Sequence, residues 1–304
     1  MSAGQRATAA PRIGTPELGL YALTIVVWST SWIAMKFQLG VVDVSVSVFY
    51  RFAIAAAIML AWVWLSGRAM RFPLRLHARL ALMGVLMFST NFLLFLTATQ
   101  WVTTGLLAVV FSLVTVLNPI NAALLLGTPL ESRVLLGAGA GVTGIALIFW
   151  PEIAGAGSDV VTGLAMAIIG AMCFSLGNIT AVTVQRQGHP VVSSNAWGMV
   201  YGAAFMALFA IVSGAPFVFD PRPSYAISLG SLAVFSTVVA FASYLTLMRR
   251  IGPGRAGYAT VMFPIGALAI SWAFEGFEWT ALSLAGLLLA LAGNLLVLRG
   301  GRAA

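Results

Sequence analysis

Long apolar runs alternate with short polar breaks along the whole chain. Ten runs are long enough to be helices, at residues 18–38, 44–66, 78–99, 102–126, 133–150, 162–185, 191–213, 225–247, 255–275 and 279–298. About 20 residues, each rising 1.5 Å, cross the hydrocarbon of a bilayer, so each run predicts a transmembrane helix. Between the runs stand residues that break helices, such as Pro73, Pro129, Pro151, Gly188-His189-Pro190 and Gly252-Pro253-Gly254.

Polar positions inside the runs are few, and they recur. Ser89-Thr90-Asn91 interrupts the third run, and Ser236-Thr237 returns in the eighth at a spacing of 147. Trp28-Ser29 matches Phe174-Ser175 at a spacing of 146, and Gly137 and Gly144 match Gly286 and Gly293 at 149. Segments that recur at one spacing, about half the chain, predict two copies of one unit. Five spans per copy force the second copy to enter the membrane upside down.

The predicted fold is therefore an all-α membrane protein. It has ten transmembrane helices in a 5+5 inverted-topology repeat, with a disordered cytoplasmic tail over 1–16, a first repeat over 17–152 and a second over 160–299. Inverted repeats place a substrate site near the midplane, at their interface. Gly137, Gly141 and Gly144, with Gly286, Ala290 and Gly293, predict a close static seam between helices 5 and 10.

Composition agrees: 61% of the residues are hydrophobic and 8% are charged, against roughly 25% charged in soluble domains. The net charge of +8 is a statement about topology, not about nucleic acid. With the N-terminus inside, 13 of the 16 Lys and Arg fall at inner positions, so both chain ends are predicted to be cytoplasmic. Cys173 is the single cysteine, which excludes an intrachain disulfide. No cofactor is expected. Both His residues fall in predicted loops and no Asp or Glu falls mid-span, which argues against an enzyme.

Trp28-Ser-Thr-Ser-Trp-Ile-Ala-Met-Lys36, followed by Tyr50-Arg51-Phe52, resembles the opening of the EamA-type members of the drug/metabolite transporter superfamily. There a Trp-small-small pattern precedes a basic residue, and an Arg-Phe pair begins helix 2. Gly252-Pro253-Gly254-Arg255-Ala256 and Phe263-Pro264 are similar to the family's loop before its ninth helix and to that helix's proline. Two departures bear on loop packing and on the kink of helix 4. Thr128 and Phe277 stand where an acidic residue is usual, and the family proline of helix 4 falls at Thr115, with Pro119 one turn on. The resemblance implies a multi-pass protein of the bacterial inner membrane that exports amino acids or similar metabolites, with the aromatic amino acid exporters as the subgroup it points to. Multidrug export of organic cations and a non-transporting receptor or assembly subunit remain alternatives.

A polar group inside a spanning helix needs a partner, water or a ligand. On that ground the substrate-lining candidates are Trp28, Ser29, Trp32, Thr90, Asn91, Phe95, Ser112, Ser175, Asn178, Thr237, Tyr244, Tyr258 and Phe263. They describe a neutral, polar and aromatic cavity that suits a small zwitterion, with backbone ends freed at a break near Pro264. Lys36 and Arg51 are the gate candidates. Each is placed near an outer helix end, where it can snorkel to headgroups or pair with Asp43, Glu275 or Glu278. Without a carboxylate or His at membrane depth to relay protons, the expected mechanism is uniport. The expected partners are a small-molecule substrate and the bilayer, with no nucleic acid; the oligomeric state is open, and a monomer is compatible with the sequence.

Overall fold

A computed structural model gives the fold and describes residues 14–156 and 158–298. The expected tail lies outside the described residues except at its end, where Gly14 caps a helix that begins at Thr15. Ten long helices follow: α1 Thr15–Lys36, α2 Val44–Leu65, α3 Leu74–Ala98, α4 Thr104–Leu126, α5 Ser132–Ala156, α6 Ser158–Gln185, α7 Val191–Val212, α8 Pro223–Ile251, α9 Tyr258–Phe274 and α10 Ala281–Leu298. Among the described residues nine of these are long and apolar enough to cross a membrane, and α9 is a shorter apolar helix. Large apolar side chains such as Trp64, Leu65, Leu124 and Phe274 face outwards. An outward apolar surface of that kind is stable against lipid chains.

Two of the ten helices are wound differently in the middle. Leu86–Thr90 in α3 and Ser231–Val239 in α8 are π-helical. These are the segments that carry the recurring polar steps. Widening the helix from i−4 to i−5 bonding leaves carbonyls poorly matched. Hydroxyls fill the gap: Ser89 donates to the carbonyls of Gly84 (3.1 Å) and Val85 (2.7 Å), and Thr237 donates to that of Leu232 (2.8 Å).

Other helices depart from the sequence reading. α4 is interrupted at Ser112-Leu113, where Thr115 and Val116 take i−3 bonds, and Pro119 sits inside its second part. α9 runs unbroken through Pro264, so the expected backbone break is not there. His77 lies in α3 instead of a loop, with Nδ1 at 2.8 Å from the Tyr201 hydroxyl.

Helix pairing fixes the cavity. α5 packs along α10, α2 along α7, α1 against α8 and α9, α3 against α6 and α7, α4 against α6 and α9, and α2 against α8. The α5–α10 contact is backbone to backbone. A Cβ on Gly144 would stand 2.5 Å from the Gly286 carbonyl oxygen, and one on Gly137 would stand 2.8 Å from that of Gly293. Glycine is needed there because no side chain fits. The described chain ends share one end of the bundle: Glu17 pairs with Arg250 at 3.0 Å, and Leu298 shares a cavity wall with Met248.

Candidate functional site

The helices enclose a cavity of about 520 Å³. α1 presents Trp28, Ser31, Trp32 and Met35 to it, the i, i+3, i+4, i+7 face of one helix. α3 presents Met87, Phe88, Asn91, Phe92 and Phe95, and α9 presents Thr260 and Phe263.

Its wall is an aromatic box centred on Trp32. The Trp32 ring meets Phe95 edge-on at 5.4 Å, Phe111 at 5.7 Å, and stacks parallel to Phe263 at 6.3 Å. Phe111 meets Phe174 at 4.9 Å, and Trp28 meets Tyr244 at 5.2 Å. Six helices thus contribute rings that hold each other's rotamers, which pre-forms an apolar surface.

Among the polar groups on the wall, two amide sites and one guanidinium stand out. Asn178 donates to the Asn118 side-chain oxygen at 3.3 Å, bridging α6 and α4. Asn91 is 1% exposed, and its side-chain oxygen has no partner among the described residues. Arg51 reaches the wall from α2. It is 7% exposed, it donates from Nε and Nη2 to the Thr237 hydroxyl at 3.4 and 3.3 Å, and its guanidinium lies over the Phe92 ring at 4.4 Å.

The structure brings together Trp28, Trp32, Asn91, Phe95, Ser112, Asn178, Thr237, Tyr244, Phe263 and Arg51 on this wall. Four expected residues lie off it, each because its helix turns it elsewhere. Ser29 donates to the Phe263 carbonyl at 3.0 Å, in the α1–α9 contact. Ser175 accepts from Asn121 at 2.9 Å, in the α6–α4 contact. Thr90 falls between the positions 87, 91 and 95 that α3 turns inwards, and Tyr258 falls beside Gly257 and Thr260 on α9.

Arg51 requires two corrections. It is buried, not snorkelling, because it is a full two turns inside α2. The cavity is therefore not neutral: among the described residues Arg51 is the one charged side chain on its wall. The rings of Phe52, Phe92, Phe111, Phe174 and Phe241 also line it. A search for polar residues in apolar runs passes over these. The signal that finds Phe92, Phe174 and Phe241 is their spacing of three or four from an expected residue, whereas Phe52 and Phe111 directly adjoin the expected Arg51 and Ser112.

Lys36 lies off the cavity, at the end of the bundle away from the chain ends. Its Nζ pairs with Glu275 at 3.2 Å, and the Glu275 side chain is 1% exposed. The same carboxylate accepts from the Thr104 backbone N–H (2.9 Å), the Thr104 hydroxyl (2.6 Å) and the Ser271 hydroxyl (2.8 Å). It thereby caps the first turn of α4 and ties α1, α4 and α9 together, a favourable place for an anion at a helix N-terminus. Asp43, a second expected partner, instead caps α2 through the Ser45 N–H. In the loop before α8, the Arg222 side chain hydrogen-bonds Asp220 at 2.7 Å and holds its carboxyl below the usual range.

The cavity's reach is one-sided. Met248, Gly257 and Leu298 on its wall belong to the end that carries the chain ends, while the Lys36–Glu275 cluster lies off the wall at the opposite end.

The EamA-like transporter family model matches residues 16–150 and again residues 161–299. The chain is 22% identical over 274 residues to the uncharacterized inner membrane transporter YedA of Escherichia coli, covering 88% of this chain and 87% of YedA. It is 20% identical over 264 residues to the uncharacterized transporter YoaV of Bacillus subtilis, covering 84% of this chain and 87% of YoaV. A solved crystal structure superposes with a TM-score of 0.66 at 18% identity, covering 92% of this chain and 95% of the other.

Proposed function

The chain belongs to the EamA-like transporter family and is a multi-pass membrane transporter of small molecules; on that premise we propose that it exports amino acids with aromatic or other apolar side chains across a bacterial inner membrane. The observation that carries this reading is the aromatic cavity between the helices. Its rings suit an apolar side chain, and its amides and guanidinium suit the polar end of an amino acid.

The mechanism we infer is alternating access between two inverted five-helix copies. Three observations support it. The family model matches twice in succession. Each close pairing has a counterpart when helix n is exchanged with helix n+5: α1–α9 with α6–α4, α1–α8 with α6–α3, and α2–α8 with α7–α3. The arginines cluster at the end holding the chain ends, which by the positive-inside rule is the cytoplasmic one. The cavity then faces the cytoplasm, and the Lys36–Glu275 cluster is the closed outer gate. Exchange of conformations between the copies opens that gate and closes the inner one.

No carboxylate is among the lining residues described, and that supports uniport down the substrate gradient. An organic cation fits the cavity poorly, because the Arg51 charge repels it. The test is uptake of radiolabelled amino acids into proteoliposomes, with and without a pH gradient. Uptake of aromatic or apolar amino acids without a pH gradient is the expected result. Strict dependence on the pH gradient would refute uniport, and no uptake of any amino acid would refute the substrate class.

A further inference from the structure

We propose that Arg51 is the anchor for a substrate carboxylate, so that the carrier selects small apolar or aromatic monocarboxylates, α-amino acids among them. The proposal rests on reading the cavity as the transport site, and it adds the group that the site recognises.

Four observations carry it. First, Arg51 is 93% buried by its 7% exposure, yet no carboxylate among the described residues pairs with it. A buried charge without an opposite charge is costly, and proteins keep one where it has work to do. Second, its present bonds are weak. Nε and Nη2 share a single hydroxyl at 3.4 and 3.3 Å, and that hydroxyl gives its own proton to the Leu232 carbonyl. A guanidinium has five N–H donors in a planar fork, so three have no bond among the described residues. Third, the plane is held. The Phe92 and Phe52 rings lie 4.4 and 5.4 Å from it, and Thr237 fixes one edge. A fixed fork with free donors matches the two oxygens of a carboxylate. Fourth, Arg51 and the rings of Trp32, Phe95 and Phe263 line the same cavity. A molecule seated on the guanidinium therefore extends its apolar part into the box.

The charge count selects the anion. One cation balances one negative charge, so a carboxylate is neutralised whereas a phosphate dianion is left half-balanced. Thr237 acts as a positioning residue. The π-helical turn of α8 points its hydroxyl at Arg51 while supplying the Leu232 carbonyl that takes its proton.

The experiment uses the purified full chain and its intrinsic fluorescence, since Trp28 and Trp32 lie on the wall. The probes are L-phenylalanine, 3-phenylpropionate, L-phenylalaninamide, phenethylamine and phenyl phosphate. The expected result is that the two carboxylates bind at least tenfold more tightly than the amide, the amine and the phosphate. The ratio of L-phenylalanine to 3-phenylpropionate then separates a zwitterion site from a plain carboxylate site, and both belong to the proposal. Arg51→Met is expected to erase the acid-over-amide preference, Arg51→Lys to keep part of it, and Thr237→Val to reduce it a few-fold. The wild-type comparison needs no variant, so a misfolded Arg51→Met leaves the test intact. Amide or amine binding equal to the acids, no acid binding, tighter phosphate binding, or a folded Arg51→Met with its preference intact would each overturn the assignment. Acid preference without flux in liposomes would retain the anion site and remove the transport reading instead.

Discussion

Two helix contacts at positions 147 residues apart are built in opposite ways. Where α7 meets α3, Gly198 and Gly202 face Gly84, and the backbones touch: a Cβ on Gly202 would stand 2.9 Å from the Gly84 carbonyl oxygen. Where α2 meets α8, the corresponding positions are Arg51 and Ala55 on α2 and Ser231 on α8. There the helices are joined through the Arg51–Thr237 bonds, and Arg51 reaches the cavity. The first contact is closed by glycine; the second has a buried cation in its place. The polar steps diverge in the same way. Ser89 of α3 bonds only its own helix, whereas Thr237 of α8 also holds the guanidinium. A repeated sequence pattern locates the scaffold, and the position where the pattern breaks locates the chemistry.

The comparison can be broken first at its tight side. Gly84→Leu forces a side chain into the α7 backbone and is expected to destabilise by about 3 kcal/mol, at the upper end of overpacking. Thermal unfolding in detergent reads this directly, and an unchanged midpoint would mean that the contact is loose. The open side responds oppositely. Arg51→Met is expected to raise the unfolding midpoint, by about 1 kcal/mol of stability, because a buried charge without a counter-ion is replaced by an apolar chain of similar length. The same variant loses carboxylate binding, so stability and function move in opposite directions.

Glu275→Gln tests the closed end. It removes the charge that pairs with Lys36 and caps α4, and should cost about 1–2 kcal/mol. A thiol placed by Met35→Cys should then react faster from the far side. The smallest effects concern the hydroxyls. Thr237→Val should weaken carboxylate binding by about 1 kcal/mol, and Ser89→Ala should cost about the same in stability while leaving binding alone. Equal effects of the two on binding would erase the distinction between the π-helical segments.

Much of the fold was legible because hydropathy and breakers respond to the bilayer itself. The ten apolar runs match the ten helices to within a few residues, and the glycines of α5 and α10 lie in the close contact their spacing predicts. The cavity was less legible. Trp32, Asn91 and Tyr244 line it, but Ser29 and Ser175 spend their hydroxyls between helices. A serine in an apolar run has the same sequence signature in either place. Arg51 is buried although it lies two turns from a helix end, because distance from an end does not fix which way a side chain faces. The phenylalanine wall carries little signal, since an apolar residue in an apolar run is the rule and only helical spacing from a polar neighbour marks Phe92, Phe174 and Phe241. The π-helical winding was likewise invisible, although the polar steps marked its position.

The central claim is that one cavity is reached from one side of the membrane at a time. The most direct measurement labels Thr260→Cys and Met35→Cys, each in a Cys173→Ser background, with an impermeant maleimide applied to one face of sealed vesicles. Thr260→Cys is predicted to react only from the face bearing the chain ends. Met35→Cys is predicted to become reactive from the opposite face only as Thr260→Cys becomes protected during substrate exchange. Simultaneous reaction of both positions from opposite faces would describe an open pore and contradict the account.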